Sequence, residues 1–199
     1  MKKRLFYIST SILVGVLTFF LLNHNAITKW LSYNLTGEIK STTEVDHKDN
    51  SQPEEQLDHI QIPQIDVNAP VIYNSGVSEQ EIIDNLNQGV VFYNNSDLPG
   101  TGGLSIYFGH SSNYPWRRGE YDTIFSLLPQ INQSDQIKIY YSGQEYIYYV
   151  TDKDIISKKN WSALSRRQSK SSLALVTCWP LGTTWQRYVV WAEEITQQS

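Results

Sequence analysis

The alternation of apolar and polar positions divides the chain into three stretches. Residues 5–22 carry no charge, with only a few Ser and Thr among Leu, Ile, Val and Phe. About 18 to 20 such residues span a bilayer as one helix, so residues 1–25 read as a short basic tip and a transmembrane signal-anchor. Residues 23–40 mix polar and apolar side chains and fit either helix or coil. Residues 41–58, STTEVDHKDNSQPEEQLD, are almost free of large apolar side chains. Such a stretch cannot bury enough surface to offset its ordering entropy, and residues 26–58 are expected to act as a flexible stalk or linker. From His59 onward apolar and aromatic residues recur as far as Ile195. That predicts one domain over residues 59–196, about 140 residues around a single core.

Within this domain the dominant period is two. Residues 62–67 and 69–73 are strand-like, but Pro63 and Pro70 restrict them to sheet edges or first positions. In residues 136–150 Ile137, Ile139 and Tyr141 alternate with polar or amphipathic neighbours, Ser142-Gly143 supplies a turn, and the run from Tyr146 to Val150 returns as a hairpin. Residues 104–108, 173–177 and 188–192 make three further strands. Two short helices interrupt them. Ser78 and Glu81 form a capping box ahead of Ile82, Ile83 and Leu86, with Gly89 as a stop. Residues 121–128 bring Ile124, Phe125 and Leu128 to one helical face before Pro129. Many short strands with two small helices predict a mainly β fold, either barrel or sandwich.

Charge fixes the orientation and removes one class of partner. Lys2, Lys3 and Arg4 precede the apolar run, so the N-terminus is expected in the cytoplasm and the domain outside. An uncleaved anchor is favoured over a signal peptide, because no small-x-small site closes the run: His24 stands two residues before Ala26. A net charge of -4 without a basic stripe argues against nucleic acid.

The chain has one cysteine, Cys178, so no disulfide can form within it. An unpaired cysteine usually packs as a small apolar residue. Three features favour chemistry instead. Cys178 follows the 173–177 strand and precedes the turn residues Pro180 and Gly182, a position that presents a side chain to a cleft. If residues 181–184 form the loop of an antiparallel hairpin, Arg187 returns beside it, where a guanidinium favours a thiolate and can stabilise an oxyanion. His110 follows the 104–108 strand in the same way, whereas His24, His47 and His59 lie beside the anchor, in the stalk and at the start of the domain. A strand-end histidine together with this cysteine and arginine reads as an acid/base partner. Thr177 has two readings: it positions the cysteine or contacts substrate, or it is an ordinary β-branched strand residue.

These residues resemble the sortases, membrane-anchored cysteine transpeptidases of bacterial surfaces, over most of residues 60–192. The resemblance rests on Thr177-Cys178 after Leu175 with Arg187 nine residues on, and on Ile62-Pro63-x-Ile65. It rests also on Leu98-Pro99-Gly100-x-Gly102-Gly103 ahead of Gly109-His110, on Phe125-x-x-Leu128 and Asp135-x-Ile137, and on Tyr146-x-Tyr148-x-Val150. The chain departs from the family at Ala174, where Thr usually opens the cysteine motif, and at Ser134, where Gly often precedes the Asp. The resemblance implies a closed β-barrel with a few short helices behind the anchor. Its implied chemistry is attack of Cys178 on a Thr–Gly bond in an LPxTG-like sorting signal, with Arg187 at the oxyanion and His110 protonating the leaving amine. The thioester then passes to an amine, from a cell-wall precursor or a pilin lysine, on the cell surface.

Leu98-Pro99-Gly100-Thr101-Gly102 spells that signal within the chain itself. A sorting signal would be followed by a hydrophobic segment and a basic tail, whereas here a strand follows, so the stretch reads as a Pro-Gly turn. No cofactor is expected. Some sortases bind Ca²⁺ through loop carboxylates, but Glu120, Asp122, Asp152 and Asp154 read as solvated acids and no metal is assigned. Two rivals stand beside the transpeptidase: an anchored hydrolytic cysteine peptidase, and a non-enzymatic anchored β-domain with a buried cysteine.

Overall fold

The runs of period two become eight strands: β1 (His59–Ile62), β2 (Val67–Ile72), β3 (Val90–Phe92), β4 (Gly103–Phe108), β5 (Gln136–Tyr141), β6 (Gln144–Ser157), β7 (Ser171–Trp179) and β8 (Gln186–Glu194). In the computed structural model, which describes residues 2–36, 58–76, 78–112, 119–167 and 171–194, they close into a barrel in the order β1-β2-β3-β4-β7-β8-β6-β5. The barrel, not the sandwich, is the form taken. Its β2–β3 and β4–β7 pairs are parallel and the others antiparallel.

Side-chain alternation sorts the strands into two apolar layers. Leu173 and Leu175 of β7, Val190 and Ala192 of β8 and Tyr107 of β4 point into the barrel, with Ile60, Ile62, Ile137, Ile139 and Val150. Their neighbours Ala174, Val176, Val189, Trp191, Ile106 and Phe108 point outward into a second cluster. That outer layer is covered by Leu86, at the end of helix α3 (Glu79–Asn85), and by Ala163 and Leu164 of the 3-10 turn Trp161–Arg167. The Trp191 indole N–H ties this turn down by donating to the Leu164 carbonyl at 3.1 Å.

Local chemistry accounts for most of the connections. The Ser78 hydroxyl accepts from the Glu81 amide at 3.3 Å and the Ser78 amide donates to the Glu81 carboxylate at 3.0 Å, which completes the expected capping box. At the β5–β6 turn Ser142 and Gly143 both take positive φ, 51° and 77°, as a tight hairpin requires. Ser134, at the position where a glycine is common, adopts φ 70°. The Leu98–Gly102 stretch is a turn: the Thr101 amide and hydroxyl both donate to the Leu98 carbonyl, at 3.2 and 2.8 Å, and β4 follows.

Four sequence expectations change. Residues 121–128 form successive turns with i to i+3 bonds (Ile124 to Tyr121, Ser126 to Thr123, Leu128 to Phe125), followed by the 3-10 helix Leu128–Gln130. The Phe125 amide donates at 2.8 Å to the His110 carbonyl, so it is not available to the i−4 bond of an α-helix. The strand expected over 62–67 ends at Ile62, because Pro63 opens a 3-10 turn that closes on Asp66 in the left-handed region. Pro70 sits inside β2 opposite His59, but the ladder bond there runs from the Val71 amide to the Asp58 carbonyl and pairing with β3 begins only at Val71, so the missing N–H breaks no rung. The returning strand of the hairpin runs past Val150 to Ser157, shifted in register between Val150 and Asp152.

The N-terminal region also differs. Helix α1 (Lys2–Leu22) contains the apolar run, and helix α2 (His24–Thr36) follows at once, the helical alternative open for residues 23–40. Among the described residues no single helix is long and apolar enough to cross a membrane. Phe6–Leu22 and Ala26–Tyr33, bent by 78° at their junction, meet that criterion together. Ala26 is buried and Tyr33 packs against the barrel core, so the start of the expected stalk is docked on the domain. The rest of that expectation, residues 37–57, lies outside the described residues, as do Ile195 and the chain beyond it.

Candidate active site

The β7–β8 register places Cys178 directly opposite Arg187, one rung before the hairpin opens at Trp179 and Gln186. On the other flank β4 runs parallel to β7, with Phe108 paired to Val176. The ladder extends one residue further: the Gly109 amide donates to the Val176 carbonyl at 3.1 Å, and the Thr177 hydroxyl donates to the Gly109 carbonyl at 2.7 Å. His110 is the next residue. Adjacent strands lie roughly 4.8 Å apart, so His110, Cys178 and Arg187 stand in one row across three neighbouring strands.

Alternation sets the face they share. Phe108, Val176 and Val189 point to the outer cluster, and two residues on or back from each lie His110, Cys178 and Arg187. The row therefore borders the outer apolar layer and not the barrel interior. Thr177 points the other way. Its side chain is 3 % exposed and bound to the strand end that carries His110, so it braces the site from behind.

Each group is held by backbone. The Phe125 amide fixes the His110 carbonyl, and a Cβ on Gly109 would collide with the Phe125 ring, so glycine lets the turn seat closely there. The Arg187 guanidinium donates to the carbonyls of Thr184 at 3.3 Å and Gln186 at 3.1 Å, which curls it back along its own loop. That loop is closed by Thr183, whose amide and hydroxyl both donate to the Pro180 carbonyl. The Gly182 amide donates to the Ser112 hydroxyl at 3.1 Å, joining the loops after β4 and β7.

The thiol of Cys178 is half-buried, not exposed. Burial pushes its pKa above the ordinary thiol value, Arg187 opposes that shift, and Glu79 adds to it. The guanidinium thus favours the thiolate as expected, but burial outweighs it, and the neutral thiol predominates near neutrality. Glu79, in the first turn of α3, was not singled out from sequence. Only the capping box marked that helix, and nothing local tells that its start approaches Cys178.

Arg117 and Arg118 lie outside the described residues, and the Arg166–Arg167 backbone belongs to the 3-10 turn over the outer layer. Asp122 accepts from the Gly119 amide at 2.6 Å, and Asp152 and Asp154 lie on β6. Among the described residues no group of three or more His, Cys, Asp or Glu is placed to hold a metal ion.

A half-buried thiol between an imidazole-bearing loop and a guanidinium can attack a carbonyl, stabilise the resulting oxyanion and protonate a leaving group. Comparison with known proteins gives the family. Residues 60–195 match the family model for the sortase domain. Sortase D of Bacillus subtilis (strain 168) is 25% identical over 166 residues, 81% of this chain and 76% of that protein. Among solved structures, sortase C-1 from Actinomyces oris superposes with a TM-score of 0.59 at 24% identity, over 70% of this chain and 74% of that one. A sortase D5 transpeptidase from Clostridium perfringens gives 0.56 at 22% identity, over 70% and 79%.

Proposed function

The chain belongs to the sortase family, and on that premise we propose that it is an anchored cysteine transpeptidase acting on an LPxTG-like sorting signal. The observation that carries the proposal is the row of His110 just past the end of β4, Cys178 on β7 and Arg187 on β8, with the cysteine in the middle.

In this mechanism the Cys178 thiolate adds to the carbonyl carbon of the scissile Thr–Gly bond. The developing oxyanion is met by the Arg187 guanidinium, whose remaining N–H donors extend beyond those spent on Thr184 and Gln186. The His110 imidazolium gives its proton to the departing amine as the C–N bond breaks, leaving a thioester and a neutral imidazole. An incoming amine then adds to the thioester, loses its proton to His110, and expels the thiolate as the new amide forms. Because burial favours the neutral thiol, the attacking thiolate is the minor form near neutrality, and slow turnover is expected. The bent helix pair at the N-terminus supports attachment to a membrane, and Lys2, Lys3 and Arg4 ahead of it support a domain on the outer side, near surface proteins that carry such signals.

The test is the purified full chain in detergent with a fluorogenic LPxTG-type peptide, with and without a primary amine. Wild type should release the C-terminal fragment and, with amine present, form the amide product. Cys178→Ala should form neither while keeping its circular dichroism spectrum. Product from a folded Cys178→Ala protein would remove the nucleophile assignment, and hydrolysis alone at saturating amine would make the chain a peptidase.

A further inference from the structure

Helix α2 is apolar on two opposite sides. One side carries Ala26 and Tyr33 and packs on the barrel, with Lys29 beside it close enough to interact with the Asp66 carboxylate. The other side should be polar if it faced water. Instead Ile27, Leu31 and Leu35 recur at i, i+4 and i+8, and Leu31 and Leu35 are 45% and 74% exposed. Trp30, on the shoulder between the two sides, is 42% exposed.

Three observations specify what covers that face. First, α2 continues from the apolar helix α1, whose Phe6–Leu22 segment rises about 26 Å, just short of a hydrocarbon core of about 30 Å. With α1 inserted, a segment that falls short of the core by itself draws the α1–α2 junction down to the headgroup boundary. Second, the 78° bend there turns α2 close to the membrane plane if α1 runs along the normal. Third, the Leu of the outer face and the Trp at its shoulder are the residues that settle at the headgroup boundary.

The same junction touches the site. Gly182, in the loop between Cys178 and Arg187, adopts φ 79°, and a Cβ there would lie 2.6 Å from the Asn23 side-chain oxygen. The loop therefore packs directly on the α1–α2 joint, and its Trp185 is 73% exposed.

Resting on the membrane attachment proposed above, we propose that α2 is an interfacial helix: its Leu31–Leu35 face lies in the lipid headgroup boundary, and the barrel seated on its other face holds the mouth of the Cys178 site at the membrane surface. The partner is the lipid surface itself. The consequence is a site that meets substrates displayed close to the bilayer, with no flexible tether between the anchor and the docked helix.

The experiment uses the full chain with Cys178→Ala, so that one new cysteine can be labelled with an environment-sensitive fluorophore. Labels go on Val14 in α1, Leu35 in α2 and Ser142 at the β5–β6 turn, which joins the opposite end of β6 from the rung that pairs with Arg187. Each protein is reconstituted in phosphatidylcholine–phosphatidylglycerol vesicles containing lipids spin-labelled at shallow depth or at mid-chain. The expected result is strong mid-chain quenching at Val14, shallow quenching at Leu35 several-fold above Ser142, and only background at Ser142. Quenching at Val14 with Leu35 equal to Ser142 overturns the interfacial helix and leaves the anchor intact. No quenching at Val14 overturns the anchor, and this inference with it. Leu35 labels that quench one another as protein density rises, unaffected by spin-labelled lipid, assign the face to a second copy of the chain and also overturn it.

Discussion

Replacing Thr177 by Val isolates the contact that carries His110 to the cysteine. The two side chains have nearly the same shape, and Thr177 is 3 % exposed, so the change removes one hydroxyl and little packing. What is lost is the 2.7 Å bond from the Thr177 hydroxyl to the Gly109 carbonyl. The carbonyl is left buried without that donor, a penalty of about 1 to 3 kcal/mol. For a domain of this size that corresponds to a fall in Tm of about 4 to 10 °C. Kinetics should change as well, because Gly109 is the residue through which β7 holds the turn bearing His110. A shift of 1 Å in a catalytic group costs on the order of 100-fold, and the Phe125 amide still grips the His110 carbonyl, so kcat/KM should fall by about 10- to 100-fold. Thr177→Ser keeps the donor and should recover most of the rate. The assays are thermal unfolding by circular dichroism and cleavage of a fluorogenic LPxTG-type peptide, each on the three proteins. A valine variant that melts lower but turns over normally would show that the bond stabilises the fold and positions nothing. One unchanged in both would remove the contact from the account altogether.

Other outcomes follow from the same geometry. Arg187→Lys keeps the positive charge opposite Cys178 but loses the planar fork of donors, so peptide turnover should drop severely in a folded protein; full activity would place the guanidinium outside the transition state. The pH–rate profile should be a bell whose alkaline limb, set by Cys178, lies above the ordinary thiol range because burial raises that pKa. Since the Glu79 carboxylate disfavours the thiolate, Glu79→Gln should move that limb toward lower pH, and a limb that stays or rises would contradict the placement of Glu79. A chain starting at His59 loses the packing of Ala26 and Tyr33 on the barrel and should melt below one starting at Asn23; equal melting temperatures would mean that α2 adds nothing to the fold.

The local rules were legible because they act over a few residues. The capping box at Ser78, the Ser142-Gly143 turn and the approach of Cys178 to Arg187 depend on side chains and loop lengths close together in sequence, and each appears where the pattern put it. Contacts between distant segments were not legible. The spacing of Ile124, Phe125 and Leu128 serves a helix or a run of turns equally well, and the choice fell to the His110 carbonyl, which takes the Phe125 amide. Likewise the parallel pairing of β4 with β7, which sets His110 beside Cys178, joins strands separated by more than sixty residues, as the bond from Thr177 to Gly109 spans 68. Sequence could nominate the histidine but not its neighbour. The docking of α2, the approach of Glu79 and the rise in the Cys178 pKa belong to the same class, because burial and charge at a point are sums over everything packed around it. Period and spacing record only what one segment prefers for itself; which segments meet is decided by closure of the barrel.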